Sequence, residues 1–198
     1  NLSSNNQFVT VSTTTGQILL WDLAQANLAP AQLAVGNDSS LLRLNASQTS
    51  VLFVTNNSTL QEVTSEDHFR RLGLELHFGS PIDQVALSPY SADGFVVTQR
   101  MAHPITTSML KSSGPPIEFA GEIVDVTIAA NGYYALSSLD RTITVGKFSD
   151  ESPKIRITAH KLPARFVRFN MDSSVLLIFG SNGDETGNRV IQTVSISR

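Results

Sequence analysis

Four histidines, a crowd of basic residues between positions 141 and 168, and one acidic loop are the groups in this sequence with chemistry to offer. His68, His77, His103 and His160 share no paired spacing, whereas a protein metal site needs clustered ligands, so no metal is expected on them. The loop NGDETGN, residues 182–188, offers Asp184, Glu185 and Asn188 to a hard cation. It lacks the length and closing glutamate of a calcium-binding loop, and it reads as a hairpin turn. The chain contains no G-x-S-x-G, H-E-x-x-H, G-x-G-x-x-G or phosphate-cradling Gly-Lys loop, the spacings that mark nucleophile, zinc, dinucleotide and phosphate sites. The expectation is a protein that is not an enzyme and carries no cofactor.

The charge distribution is more informative. Arg141, Lys147, Lys154, Arg156, Lys161, Arg165 and Arg168 face only Asp150 and Glu151 in that stretch, although the whole chain has a net charge of -3. A local positive surface follows, with no global field to recruit nucleic acid. Alternation along a strand turns Lys154 and Arg156 away from Ile155 and Ile157. The same charges also suit a solvated edge that discourages strand aggregation. Asn1, Asn37, Asn45, Asn56 and Asn57 each stand two residues before Ser or Thr, the acceptor pattern for N-glycosylation. Asn and Ser also crowd into β-turns in a chain this rich in both.

The elements that must hold these groups are strands. Apolar residues alternate over most of the 198 residues, and no long stretch repeats at helical spacing. Five hairpins emerge: residues 7–23 turning at Thr15-Gly16, 50–63 at Asn57-Ser58, 94–110 at Ala102 to Pro104, 133–148 at Asp140-Arg141, and 175–196 at the acidic loop. On this reading His103 is a turn residue. The turn anchors recur at about 40 residues, the spacing of four-stranded repeat units. A further short strand precedes four of the hairpins, in LLRLNASQTS, IDQVALSPYSADG, IVDVTIAANG and ARFVRFNMDSS. Fourth strands run between units in RRLGLELHF and PKIRITAH. The absence of cysteine removes disulfides, Cys-bearing zinc sites and thiol nucleophiles. It suits an intracellular chain, cytoplasmic or nuclear. No apolar run approaches the roughly 20 residues that span a bilayer, and NLSSNNQ does not have a signal-peptide plan. The chain opens on Asn1 without an initiator methionine, as a processed or excised segment would.

These units resemble the repeats of the WD-repeat β-propeller family. TTTGQILLWDL resembles the second half of the family pattern, closing in Trp21-Asp22 with Thr15 where an aspartate usually sits. SSLDRTITVGK keeps Asp140, but Gly146-Lys147 stands where Trp-Asp would be. TAHKLPARFVRFNMDSSVLLIFGS resembles the opening half, with Ala159-His160 for Gly-His and then Val167, Phe169 and Asp172. Each motif is degenerate, so the buried His, Ser or Thr, Asp and Trp set of the family is assigned to no blade. Packing between blades is expected to hold the units, with Trp21 a packing anchor.

The resemblance implies an all-β fold, a β-propeller of four-stranded antiparallel blades, about four and a half of them in this chain. Approximate blades are 1–27, 28–76, 77–115, 116–158 and 159–198. The expected remainder of a six- to eight-bladed ring comes from the same or another chain. The alternative is a five-bladed ring closed by residues 1–7 pairing with the last hairpin. The resemblance also places Arg100, His103, Arg141 and Lys161 on one rim, with Arg165 beside them. With Lys154 and Arg156 these form the candidate partner-binding set. The expected function is a non-catalytic scaffold in a multiprotein complex, binding proteins with acidic surfaces. A nucleic-acid backbone is the less favoured ligand, and no membrane insertion is expected of this segment. Two alternatives stand beside it. SSLDRTITVGKF and TAHKLPARFVRFNMDSS resemble the cytosolic propellers of membrane-anchored GTPase exchange factors, although their catalytic loop has no counterpart here. The Asn sequons suit an extracellular glycan-binding propeller.

Overall fold

The computed structural model describes residues 8–13, 17–23, 29–34, 40–44, 50–64, 72–150, 155–157, 163–181 and 189–196. The strands β1 (Phe8–Ser12), β2 (Gln17–Asp22) and β3 (Ala31–Ala34) form a first antiparallel sheet. A second contains β4 (Ser40–Leu44), β5 (Ser50–Thr55), β6 (Thr59–Thr64) and β7 (Leu72–His77). In the third, β8 (Gln84–Leu87), β9 (Asp93–Thr98) and β10 (Met101–Thr106) are followed by two short strands, β11 (Lys111–Ser112) and β12 (Ile117–Glu118), which both pair with β10. The fourth runs β13 (Ile123–Ile128), β14 (Tyr133–Ser138), β15 (Ile143–Lys147) and β16 (Ile155–Ile157). The fifth contains β17 (Ala164–Phe169), β18 (Val175–Ser181) and β19 (Arg189–Ser195). Among the described residues no helix is long and apolar enough to cross a membrane.

Each sheet is a meander, and the first strands β4, β8, β13 and β17 pack against one another in succession. The middle strands of the second, third and fourth sheets therefore lie between two neighbouring sheets and must be apolar on both faces. The strand β5 shows the consequence: Val51 and Phe53 join Ile18 and Leu20 of the first sheet, while Leu52 and Val54 join Val85, Val96 and Ile105 of the third. Two more clusters fill the spaces between the third and fourth sheets and between the fourth and fifth. Each fully buried Val, Leu, Ile or Phe contributes about 1.5–3 kcal/mol, so the stack is held by four inter-sheet layers. No single central core is needed.

In the fourth sheet a glycine faces a tyrosine across two strands. Tyr134 pairs with Gly146 across β14 and β15, and a Cβ on Gly146 would lie 2.4 Å from the Tyr134 hydroxyl oxygen. The glycine makes room for the tyrosine ring, which meets Phe95 edge-on at 4.8 Å between centroids and Phe148 at 5.0 Å. Burial pushes the Tyr134 hydroxyl up to about 12 and keeps it neutral. Trp21 itself stands apart from the Ile18 and Leu20 cluster. It pairs with Val9, lies on the opposite face of β2 and is only partly buried.

Several expectations are corrected. The third hairpin turns at Gln99-Arg100, with Gln99 at φ 50°, and residues 102–104 lie inside β10. Proline is tolerated there because the Ser113 N–H donates to the Pro104 carbonyl. The backbone polar groups of Pro104 thus face outward, into the gap between β11 and β12, and no bond to β9 is lost. The boundary at residue 27 is too early, because β3 pairs with β2. The boundary at 115 cuts off β12, which pairs with β10. The turn at Thr15-Gly16, the loop 182–188 and residues 1–7, with the closure assigned to them, lie outside the described residues.

Candidate functional site

One rim of the stack is stitched together by main-chain hydrogen bonds. The connector 78–83 leaves the second sheet and enters the third, and it binds the hairpin turns of both. Phe78 and Ile82 N–H groups donate to the Ser58 and Asn57 carbonyls at 2.8 and 2.6 Å, and Asp83 N–H donates to Val97 at 2.8 Å. The next connector, 119–122, repeats the plan. Phe119 and Leu139 N–H groups donate to Arg100 and Glu122 carbonyls, each at 2.9 Å, tying the third-sheet turn to the fourth-sheet turn. The turns can offer these groups because Asn56, Asn57, Gln99 and Arg141 adopt positive φ, a conformation that Asn tolerates better than most residues.

Two aspartates complete the stitching with opposite polarity. Asp83 sits on a connector and accepts from the Gln99 N–H of the third-sheet turn. Asp140 sits on the fourth-sheet turn and accepts from the connector, from Ala120 and Gly121 N–H at 3.0 and 3.3 Å. Thr142 N–H adds a bond at 2.8 Å. A Cβ on residue 121 would lie 2.7 Å from the Asp140 nitrogen, so only glycine lets the connector approach. Burial pushes the Asp140 carboxyl up. The bonds from Thr142, Gly121 and Ala120 outweigh that and hold it below the ordinary aspartate value.

Three of the candidate arginines gather around the second connector. Arg100 and Arg141 are exposed on the third- and fourth-sheet turns. Arg156, on β16, donates to the Glu118 carbonyl at 3.3 Å and lies 5.9 Å from the Phe119 ring centroid. Glu118, at the end of β12, and Glu122, on the connector, are exposed as well, so the surface alternates in charge and is not uniformly basic. His103 does not join it. Its Nε2 is 3.0 Å from Thr98 Oγ1 and its ring meets Phe78 at 5.0 Å. Burial lowers its pKa, leaving it neutral at pH 7. Arg165 is partly buried at the irregular start of β17. Lys154, Lys161, His68, His160 and the loop 182–188 lie outside the described residues. Among the described residues no three His, Asp or Glu side chains could hold a metal ion.

A second set of polar contacts links the first strands. Asp125 of β13 accepts from Val167 N–H at 2.9 Å and from the Arg168 guanidinium, joining the fourth and fifth sheets. Arg43 of β4 donates to the Val85 carbonyl at 3.1 Å, joining the second and third. Arg168 is therefore committed to a structural bond. The reading by charge runs missed Asp83 and Asp125, which no local pattern marks. Asp140 was visible as the aspartate before a turn.

The chain was compared with known proteins. No family model matches it, and no curated protein sequence matches. Solved structures do match. Hsv2 of Kluyveromyces lactis aligns at 14% identity with a TM-score of 0.70, over 98% of this chain and 59% of that one. Hsv2 of K. marxianus aligns at 15% identity with a TM-score of 0.67, over 98% and 57%. Similarity at this identity establishes the fold: the chain is all-β, and its sheets are antiparallel blades of a β-propeller. The chain spans between 57% and 59% of the length of these solved structures.

Proposed function

We propose that this chain is a non-catalytic interaction module, a propeller of WD-repeat type whose connector rim binds protein partners within a larger assembly. The observation that carries the reading is the stitched rim. Arg100 and Arg141 are displayed on turns whose backbone is held by two connectors, so less ordering is needed when a partner binds. A guanidinium matches carboxylates in two-point geometry. The alternation of Arg100, Arg141 and Arg156 with Glu118 and Glu122 selects a partner surface of mixed charge with acidic residues opposite the arginines. The experiment is capture of binding proteins by the wild type and by an Arg100→Glu, Arg141→Glu double variant whose circular dichroism is unchanged. Loss of the captured set, together with salt-sensitive binding by the wild type, is expected. An identical set from both proteins would count against the rim.

A further inference from the structure

The outer position of the third sheet is built differently from that of its neighbours. In the second and fourth sheets one strand fills it, β7 or β16. In the third, β11 pairs with Ile105 and Thr106, β12 pairs with Met101 and Ala102, and residues 113–116, Ser-Gly-Pro-Pro, loop out between them. Pro115 and Pro116 are both exposed. The loop is nevertheless fixed at its two ends. Ser113 N–H donates to the Pro104 carbonyl at 2.9 Å, Ser112 Oγ donates to the Gly114 carbonyl at 3.0 Å, and a Cβ on Gly114 would lie 3.5 Å from Pro104 Cγ. Downstream, Ile117 and Phe119 are buried in the cluster between the third and fourth sheets. Each proline ring holds φ at about −65°, and the proline that follows Pro115 keeps it out of the helical region. Both restrictions together give the extended polyproline II conformation. The segment is therefore displayed, pre-shaped and without an N–H at two successive positions, so it loses little freedom when bound.

We propose that the Gly114-Pro115-Pro116 loop is a displayed ligand for an aromatic-lined groove on a partner protein. The chemistry of the partner follows from what the loop offers. Without N–H groups at positions 115 and 116 it cannot be read by strand addition, which needs pairing donors. Two apolar rings and main-chain carbonyl acceptors remain. Flat Trp and Tyr faces cover such rings, and Trp N–H or Tyr O–H groups donate to the carbonyls; SH3 and WW domains hold proline-rich segments in grooves of this kind. Prolines on a sheet edge also block pairing with another edge, and the experiment separates that role from docking. The loop uses neither Arg100 nor Arg141, so this reading and that of the arginine rim can fail independently.

The test titrates the whole chain with a panel of isolated SH3 and WW domains, followed by NMR. The expected result is saturable binding by at least one domain, with the ring protons of Pro115 and Pro116 shifted upfield by the aromatic faces of the groove. Pro115→Ala combined with Pro116→Ala, two exposed substitutions outside any strand, should weaken that binding by at least about tenfold, with circular dichroism and sedimentation unchanged. Arg100→Glu should leave it as it was. Three results would overturn the proposal: no domain of the panel binding the wild type, equal binding by the double proline variant, or binding that leaves the proline ring protons unshifted. Self-association of the double variant, with no domain bound by the wild type, would identify the prolines as edge blockers instead.

Discussion

The interface between the third and fourth sheets and the outer face of the fifth sheet are built from the same material with opposite outcomes. In the first, Phe95, Tyr134 and Phe148 meet in a buried aromatic group. In the second, Phe166, Phe179 and Ile191 form a row across three paired strands, yet Phe166 is 58% and Ile191 66% exposed. The first sheet has a similar outer face, where Val11 is 42% exposed. Alternation tells a strand which residues share a face. It does not say whether a neighbouring sheet covers that face, and in a stack of blades the neighbour supplies most of the stabilisation.

The largest expected difference comes from emptying the aromatic group. Tyr134→Ala should destabilise the fold by about 3–5 kcal/mol, measured by urea denaturation, while Phe166→Ala should change stability by no more than about 0.5 kcal/mol. Equal losses would erase the distinction between the two faces. Gly146→Trp restores the residue expected from the repeat pattern, but it should be destabilising by at least about 1–3 kcal/mol because Tyr134 occupies the space. Combining it with Tyr134→Ala should recover part of that loss. No recovery would show that the two side chains do not compete for one site.

Asp140→Ala should cost about 1–3 kcal/mol by leaving connector N–H groups without their acceptor. The pH dependence sharpens this. A carboxyl held below its unfolded value stabilises the fold above that value, about pH 3.9 for aspartate, and the contribution is lost as pH falls through the lower folded value. Wild-type stability should therefore fall more steeply than that of Asp140→Asn below about pH 4. Parallel acid limbs would mean that the hydrogen bonds at Asp140 do not depend on its charge. The smallest effect on stability belongs to Arg100→Glu with Arg141→Glu, within about 0.5 kcal/mol, since both side chains are exposed.

Much of the fold could be read from residue order. The four first strands, the turns at Asn57-Ser58 and Asp140-Arg141 and the outer strands β7 and β16 follow from local alternation and turn chemistry. His103-Pro104 misled because proline usually marks a turn; its place in β10 depends on the gap between β11 and β12, a tertiary feature. The place of Tyr134 over Gly146 was equally hidden, since the two become neighbours only through strand register. The arginine rim was partly legible. Arg100 and Arg141 stand on turns, but the position of Arg156 near Phe119 and the burial of His103 depend on packing between sheets.

Residue-resolved amide hydrogen exchange on the whole chain tests most directly the claim that stacked blades stabilise one another. The slowest exchange is expected in β5, β9 and β14, whose side chains are buried between neighbouring sheets, and faster exchange in β19, most of whose described side chains are exposed. Protection of β19 equal to that of β14, in the protein alone, would contradict it.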